Sequence, residues 1–182
     1  AETVQGFFDF PCEHLTARKE LLDQVRKVCS DETKKECVVV GPDLGGAKLS
    51  SAYAHAWQVD YALIEKHRID AHKVESVSLL GDVKSKTVLL ADDVCSTAGT
   101  LVSAANKCRE KGAKKVYVAV THGLFVDDAI KKIMDSPIEK VFVSNTVEHA
   151  SHVLSCPKIC VISVVSPFAA AIARLEEQNN KK

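Results

Sequence analysis

The chain has 182 residues, of which 46% are hydrophobic and 26% are charged. This length allows one substantial hydrophobic core and predicts a single domain over residues 1–182. The 24 basic and 24 acidic residues balance, which excludes the bulk positive field that draws nucleic acid or an anionic membrane surface to a protein. Any recognition of phosphate must therefore be local.

The sequence has no membrane or export signal of the usual kinds. No apolar run reaches the roughly 20 residues that a membrane-spanning helix needs, and the first residues, AETVQGFFDF, lack the basic and apolar pattern of a secretory signal. We expect a cytoplasmic protein with neither nucleic acid nor membrane as a partner. The seven cysteines show no CxxC pair, so we expect reduced thiols that mostly pack as small apolar groups.

Helix-like and strand-like segments alternate, which predicts an α/β fold with a largely parallel sheet flanked by helices. Thr16 is placed as the cap of a first helix that ends near Ser30. The predicted strands are 37–40, 61–64, 77–80, 87–91, 116–120, 141–143 and 159–164. The further predicted helices are 47–58, 99–111, 127–135 and 168–177. Residues 65–75 have neither periodicity, which predicts a loop or a flexible hairpin.

The strongest local signal is VLLADDVCSTAGTLVSAANKC, residues 88–108. A buried strand ends in two adjacent acids, and a short polar turn then opens a helix. Backbone N–H groups at a helix start attract an anion, a glycine allows its close approach, and hydroxyl groups donate further hydrogen bonds. The turn that we predict to hold a phosphate group consists of Ser96, Thr97, Ala98, Gly99 and Thr100.

Asp92 and Asp93 precede this turn. A pair of carboxylates can accept hydrogen bonds from two vicinal sugar hydroxyls or hold a hydrated Mg²⁺. Sugar hydroxyls beside a sugar phosphate describe a ribose phosphate. The alternative is that the acids are ordinary solvated residues at a strand end and that the serine and threonine cap the next helix.

A second glycine turn also follows a strand and opens a helix. It consists of Asp43, Leu44, Gly45 and Gly46, after Pro42. Its glycines let main-chain N–H groups wrap a second anion, and Asp43 can coordinate a cation bound to that anion. Most glycine turns after a strand simply reverse the chain, and that alternative stays open.

The other candidate functional residues also have ordinary structural explanations. Lys66 and Arg68 lie in a basic segment that is typical of a solvated surface. His122 is as compatible with a satisfied structural histidine as with a substrate contact. Cys95 would be reactive if the helix start lowered its pKa, although a packed thiol is favoured. Trp57 is most simply core. His149, His152 and Cys156 make no convincing metal site.

The chain resembles the phosphoribosyl-diphosphate synthetases, whose fold is that of the type I phosphoribosyltransferases. The residue 88–108 segment is similar to the ribose-phosphate motif of both groups, and the resemblance to the synthetases covers nearly the whole chain. The further segments that carry it, in the family's order, are VQGFFDFP (4–11), VVGPDLGGAK (39–48), ALIEKHR (62–68), LLGDVKSKTVLLADD (79–93), KGAKKVYVAVTHGLF (111–125) and VFVSNT (141–146).

The resemblance implies a ribose-phosphate diphosphokinase, which transfers the β,γ-diphosphate of Mg·ATP to ribose 5-phosphate for nucleotide biosynthesis. It implies that Asp92 and Asp93 hold the ribose hydroxyls and that residues 96–100 hold the 5-phosphate. The turn of residues 43–46 would hold the diphosphate, with Asp43 as a Mg²⁺ ligand. Lys66 and Arg68 would stabilise the transition state, and the whole enzyme is expected to be a homo-oligomer.

The chain departs from the family pattern at three places and in its length. Ser96 stands where a third acid is common, Leu49 replaces a residue that is often basic, and Val126 with Asp127 replaces Ser-Gly. The family usually has two similar domains, so this chain is expected to be the carboxyl-terminal half, either as a fragment or as a natural half-length homologue. A non-catalytic regulatory subunit and a type I phosphoribosyltransferase remain alternatives.

Overall fold

The computed structural model describes residues 6–10, 12–70 and 73–179, and the side chains of these residues apart from 66–70, 73–77 and 178–179. The strands are β1 (Cys37–Gly41), β2 (Asp60–Asp70), β3 (Lys73–Leu80), β4 (Thr87–Cys95), β5 (Lys115–Gly123), β6 (Ile138–Ser144) and β7 (Ile159–Ile162). The α-helices of the described part are α1 (Arg18–Val28), α2 (Ala47–Trp57), α3 (Gly99–Glu110), α4 (Ala129–Met134), α5 (Ser151–Leu154) and α6 (Val165–Asn179).

The strands form one sheet in the order β3-β2-β1-β4-β5-β6-β7. Neighbouring strands are parallel from β2 through to β7, and the β2–β3 pair is antiparallel. Parallel neighbours need crossover connections that place helices over the faces of the sheet. The α/β class with a largely parallel, helix-flanked sheet is therefore confirmed.

Both faces of the sheet are covered, and alternate strand residues enter two separate cores. On β1, Val38 and Val40 pack in the core under α3 and α4. Val39 between them packs in the other core, with residues of α1 and α2. The central strands are apolar on both faces for this reason, which is why they appear in the sequence as continuous apolar runs.

The order of the strands reverses between β1 and β4. The chain passes from β1 to β2 on one side, and β4 then pairs with the other side of β1. In open α/β sheets, ligands bind outside the carboxyl ends of the strands at such a reversal. The two glycine-containing turns singled out in the sequence follow β1 and β4, so the topology brings both to this place.

Several predicted boundaries were wrong in detail. Residues 65–70 and 73–75 lie in the regular strands β2 and β3, which pair antiparallel, so of the two predicted alternatives the hairpin is confirmed for the described residues and its arms are regular strands. The strand predicted over 87–91 continues to Cys95. Ala17 rather than Thr16 occupies the position before α1, although the Thr16 hydroxyl oxygen accepts the Arg18 N–H at 3.3 Å. The short helix α5 was not predicted.

The prediction for the cysteines is confirmed for most of them. Cys12 is exposed, Cys160 is half-buried, and the buried thiols are Cys29, Cys37, Cys95, Cys108 and Cys156. Trp57 is 6% exposed and belongs to the core under α1 and α2, as predicted. Within the described residues, no helix combines the length and the apolar character that crossing a membrane requires.

Candidate functional site

The turn between β4 and α3, residues 96–100, is called the phosphate loop below. Its backbone is held in an unusual conformation, because Ala98 is left-handed with φ 61° and is also buried. A left-handed conformation costs a residue with a side chain about 1–2 kcal/mol, and such strain concentrates at functional sites. The next residue, Gly99, begins α3, so the first-turn N–H groups of that helix open onto the loop.

The hydroxyl groups of the loop do not cap α3. The residue before the helix is Ala98, which has no side chain able to cap it, and Ser96 and Thr97 are exposed. The capping alternative is therefore wrong. A Cβ atom added at Gly99 would have the Thr97 Oγ1 as its nearest neighbour, at 3.7 Å. Packing within the protein does not require glycine there, whereas the close approach of a ligand to the backbone would.

Asp92 and Asp93 lie within β4 rather than after it, which corrects the predicted strand end. The strand is still paired with β5 at this point: Asp92 is in register with Val120, and Val94 is in register with His122. The two carboxyl groups interact, because in addition to burial the charge of Asp93 and a side-chain hydrogen bond with Asp93 both raise the pKa of Asp92. Asp92 is partly buried and accepts the Asp93 N–H on its Oδ1 at 2.9 Å, while Asp93 is exposed.

The surroundings of Asp92 favour its protonated form. Burial raises the pKa of the Asp92 carboxyl to about 6, and the neighbouring charges of Asp93 and Asp43 raise it further against the lowering effect of the Asp93 N–H. The effect of Asp43 shows that the acid after β1 lies near the acid on β4. The edge of the sheet between the two turns therefore carries negative charge, and a cation bound there would be stabilised.

The turn of residues 42–46, called the diphosphate turn below, is tied together by its own aspartate. The Gly46 N–H donates to the Asp43 Oδ1 at 2.9 Å. A Cβ added at Gly45 would lie 3.2 Å from the same oxygen, so this glycine leaves room for the carboxylate. Leu44 is exposed. One of the N–H groups predicted to wrap an anion is thus already bonded to a carboxylate oxygen.

Sequence reasoning missed a serine that links helix α2 to strand β4. Ser50 is fully buried in α2, and its Oγ donates to the carbonyl oxygen of Ala91 at 2.9 Å. This bond fixes α2, which follows the diphosphate turn, against β4 immediately before Asp92. Tyr61 links the start of α2 to β2, since its hydroxyl donates to the Ala47 carbonyl oxygen at 3.3 Å. The sequence signal that could have revealed the Ser50 contact was a polar residue at a buried position of the predicted helix.

The donor set fits a magnesium ion that arrives with its phosphate ligand. Carboxylate oxygens are ligands that Mg²⁺ prefers, and the ion usually takes only one or two of them and completes its shell with water and phosphate oxygens. Within the described residues, no group of three or more His, Cys, Asp or Glu side chains is arranged to hold a metal. The acids therefore fit a shared ion better than a preformed protein cage.

The backbone of Lys66 and Arg68 lies in β2, and their side chains are outside the described part of the chain. Leu63 of β2 pairs with Gly41, the last residue of β1. Lys66 and Arg68 follow Leu63, so they continue past the carboxyl end of β1, and they pair with Val77 and Glu75 of β3. The hairpin thus extends from the edge of the sheet that carries both turns.

A model of the phosphoribosyl synthetase-associated domain matches residues 68–181 of the chain. The chain belongs to this family. It is 39% identical over 174 residues to ribose-phosphate pyrophosphokinase A of Dictyostelium discoideum and 41% identical over 175 residues to ribose-phosphate pyrophosphokinase 2 of Schizosaccharomyces pombe. Each alignment covers 96% of this chain and 54% of the relative, so the chain spans about half the length of these curated relatives.

Solved structures agree with this assignment. The phosphoribosylpyrophosphate synthetase from Mycobacterium smegmatis superposes with a TM-score of 0.87 and 34% identity, over 98% of this chain and 56% of that one. The adenine phosphoribosyltransferase (APRTase) from Giardia lamblia, complexed with 9-deazaadenine, superposes with a TM-score of 0.54 and 20% identity, over 70% of this chain and 77% of that one. The second likeness shows the fold alone, which is that of the type I phosphoribosyltransferases.

One departure from the family pattern has a structural consequence. Asp127, at the second position of the family's Ser-Gly pair, adopts φ 54°, a left-handed conformation that glycine enters without strain. Aspartate is among the residues that tolerate it best. The departure therefore keeps the turn after β5 at a small cost in stability.

Two secondary candidates have structural explanations. Burial raises the pKa of the Cys95 thiol to about 11, so the packed-thiol interpretation holds and the reactive one does not. The His122 Nδ1 lies 2.8 Å from the Thr146 Oγ1, whose hydroxyl donates to the Thr121 carbonyl oxygen. His122 is thus a member of a polar network at the ends of β5 and β6, as expected for a satisfied structural histidine.

Proposed function

We propose that this chain supplies the ribose 5-phosphate and diphosphate sites of a ribose-phosphate pyrophosphokinase. That enzyme transfers the β,γ-diphosphate of Mg·ATP to the anomeric hydroxyl of ribose 5-phosphate and forms phosphoribosyl diphosphate and AMP. One observation carries the proposal: the phosphate loop and the diphosphate turn follow adjacent parallel strands, at the reversal of strand order, with carboxylates between them. The names of the relatives support it.

The phosphate loop binds the 5-phosphate in this proposal. The exposed hydroxyls of Ser96 and Thr97 and the N–H groups at the start of α3 are donors for its oxygens. Asp92 and Asp93 accept hydrogen bonds from ribose hydroxyls. Each of the two adjacent carboxylates accepts a hydrogen bond from one of two vicinal hydroxyls.

The diphosphate turn binds the group in transfer. A diphosphate would compete with Asp43 for the Gly46 N–H, and an Asp43 carboxylate released from that N–H is free to bind a cation. Asp43 is the protein ligand that we assign to Mg²⁺. The ion, when bound, neutralises charge on the diphosphate, which is the main electrostatic requirement of phosphoryl transfer.

Lys66 and Arg68 are the catalytic residues of the proposal. Support comes from the backbone of Lys66 and Arg68, which lies on the hairpin, past the end of β1. A lysine and an arginine stabilise the charge of a transferring phosphoryl group without taking part in covalent chemistry. Their role differs from that of Asp92 and Asp93, because it concerns the transfer rather than the binding of the sugar.

The complete reaction needs more protein than this chain. Its length is about half that of the curated relatives, and we assign the adenine contacts of ATP to the remaining half. This chain would then be the carboxyl-terminal domain of a cytoplasmic homo-oligomer. Activity of the chain alone should be low, so binding is the sharper test.

The test compares three ligands by calorimetric titration. Ribose 5-phosphate should bind, and ribose, which lacks the phosphate, should bind at least about tenfold more weakly. Phosphoribosyl diphosphate should gain affinity from Mg²⁺, and an Asp43→Asn substitution should remove that gain while ribose 5-phosphate binds as before. A double substitution, Lys66→Ala with Arg68→Ala, is the control that leaves ribose 5-phosphate binding unchanged. Equal binding of ribose and ribose 5-phosphate would contradict the proposal.

A further inference from the structure

Backbone carbonyl groups of the phosphate loop are held by the segment that runs from the end of β5 into α4, residues 124–132. The carbonyl oxygen of Cys95, just before the loop, accepts the N–H of Leu124 at 2.8 Å and that of Phe125 at 3.2 Å. The carbonyl oxygen of Ser96 accepts the N–H of Val126 at 3.1 Å. Two successive carbonyl groups therefore point toward the same segment.

The third carbonyl group in the row meets a side chain. The Nζ of Lys132 lies 3.5 Å from the carbonyl oxygen of Thr97, at the outer limit of a hydrogen bond. Lys132 is held in place by Asp128, one turn earlier, through an ion pair of 2.7 Å. It also lines, with Gly99, the groove between α3 and α4. The cationic end of this side chain thus lies beside the phosphate loop.

The orientation of these carbonyl groups fixes that of the N–H groups. In a trans peptide the C=O and the following N–H point in opposite directions, and the described peptides contain no cis bond. The Cys95 and Ser96 carbonyl groups, which point toward the 124–132 segment, therefore turn the N–H groups of Ser96 and Thr97 away from it. The Thr97 carbonyl group sets the direction of the Ala98 N–H, which interacts with the Cys95 thiol. A rotated peptide would present an oxygen to the anion instead, and two negative groups would repel each other.

We propose that Lys132 is a positioning residue for ribose 5-phosphate binding, which holds the Thr97 carbonyl and thereby keeps the phosphate loop in the conformation that turns the Ser96 and Thr97 donors outward. The inference rests on the proposed function of the loop. The other two carbonyl groups are held by main-chain N–H donors, which side-chain substitutions other than proline leave in place. Lys132 is the contact that can be varied, and its charge strengthens the attraction to the carbonyl dipole.

The chain contains a matched control for this residue. Lys131 is the preceding residue on α4, has the same charge and is exposed. A Lys131→Met substitution removes one positive charge from the same short helix without touching the Thr97 carbonyl. Any effect of net charge on phosphate affinity is therefore common to both methionine variants, and an effect of the carbonyl contact appears only in Lys132→Met.

The experiment titrates ribose 5-phosphate into the full chain and its variants and records amide resonances in the free proteins. Lys132→Met should weaken binding about five- to tenfold and shift the free amide resonances of residues 96–99. Lys131→Met should do neither. Lys132→Arg should restore most of the affinity, because arginine keeps a cationic donor. Thermal unfolding of each variant checks that the fold is intact.

The outcomes separate this inference from the proposed function. If the unaltered chain fails to bind ribose 5-phosphate, the proposed function fails and the inference falls with it. If the unaltered chain binds and Lys132→Met binds as well as Lys131→Met, the inference alone is overturned. Weaker binding without any change in the free loop resonances would also overturn it, because Lys132 would then contact the phosphate directly rather than position the loop.

Discussion

Asp92 is held in surroundings that oppose its charge. It lies at the partly buried end of β4, near two other carboxylates, and its pKa is raised to about 6. The folded state therefore binds a proton more tightly than the unfolded state, in which the pKa is near 3.8. The stability linked to this group is present below about pH 4 and is lost as the pH rises through about 6.

An Asp92→Asn substitution should therefore stabilise the free protein at neutral pH. Asparagine keeps the oxygen that accepts the Asp93 N–H and removes the buried charge. The gain in free energy of unfolding should be about 1–3 kcal/mol at pH 7 and should shrink toward zero at pH 4. Urea unfolding at both pH values measures it. A variant that is less stable at pH 7 than the unaltered chain would show that the charge is not penalised.

Substitution by alanine should affect the stability of the protein differently at Gly123 and at Gly99. At Gly123, an added Cβ would lie 2.4 Å from the ring of Phe125 and 2.7 Å from a methyl group of Val143, so Gly123→Ala should cost about 1–3 kcal/mol. At Gly99 the nearest atom is 3.7 Å away. Gly99→Ala should leave stability unchanged or raise it by up to about 1 kcal/mol.

Ligand affinity distinguishes the reason for each glycine. Gly99→Ala should weaken ribose 5-phosphate binding although the protein is no less stable, because the new methyl group lies where the phosphate approaches. Chemical denaturation and titration on the same samples provide both readings. Unchanged affinity in Gly99→Ala would mean that the ligand does not approach this residue.

The candidate site could be predicted where its residues are close in the chain. Asp92 in β4 and Gly99 at the start of α3 flank a short stretch with hydroxyl residues, so their grouping is visible in the sequence, and their role as a site stays a prediction. Ser50 and Lys132 were missed because their partners, Ala91 and Thr97, lie 41 and 35 positions away in the chain. Such contacts arise only from the packing of helices on the sheet.

A lysine that immediately precedes β7 donates hydrogen bonds to carbonyl groups at the carboxyl end of α4. The Lys158 Nζ donates to the carbonyl oxygens of Ile133, Met134 and Ser136 at 3.2, 3.0 and 2.9 Å. The last carbonyl groups of a helix have no intrahelical partner, and a cation there also interacts favourably with the helix dipole. One side chain thus satisfies the carboxyl end of a helix of only six residues.

Lys158→Met should lower the free energy of unfolding by about 1–3 kcal/mol, since it leaves these carbonyl groups without their charged donor. Lys140→Met is the matched control, because Lys140 is an exposed lysine of β6 and its removal should change stability by less than about 0.5 kcal/mol. Guanidinium unfolding of both variants measures the difference. Equal stabilities would show that the three hydrogen bonds contribute nothing net.

Elements with an apolar interior were predictable, and polar or short ones were not. The central strands appear as apolar runs because both of their faces are buried. The arms of the β2–β3 hairpin alternate charged and apolar residues in a mixed way that favours no period, and cross-strand pairing decides their structure. The last residues of β4 were not predicted as strand, because they include two acids. Their strand structure depends on pairing with β5, which the local sequence does not show. The four residues of α5 are too few for a helical period.

At the scale of the molecule, the arrangement of the site follows from the order of the strands. The diphosphate turn and the phosphate loop are about 50 positions apart in the sequence, and the pairing of β1 with β4 brings them to one edge. The fold class and the identity of both turns could be predicted, from alternation of elements and from family resemblance. The tie between Asp43 and Gly46, which closes the diphosphate turn on itself, could not, because it is a property of the turn's conformation.

The central claim is that Asp92 and Asp93, with the phosphate loop, form a ribose 5-phosphate site. The most direct measurement is a calorimetric titration of ribose 5-phosphate, with and without Mg²⁺, into the unaltered chain and into an Asp92→Asn, Asp93→Asn double variant. The account predicts saturable binding by the unaltered chain and the loss of that binding in a double variant that remains folded. Binding that survives the double substitution at full affinity, or no binding by the unaltered chain, would contradict it.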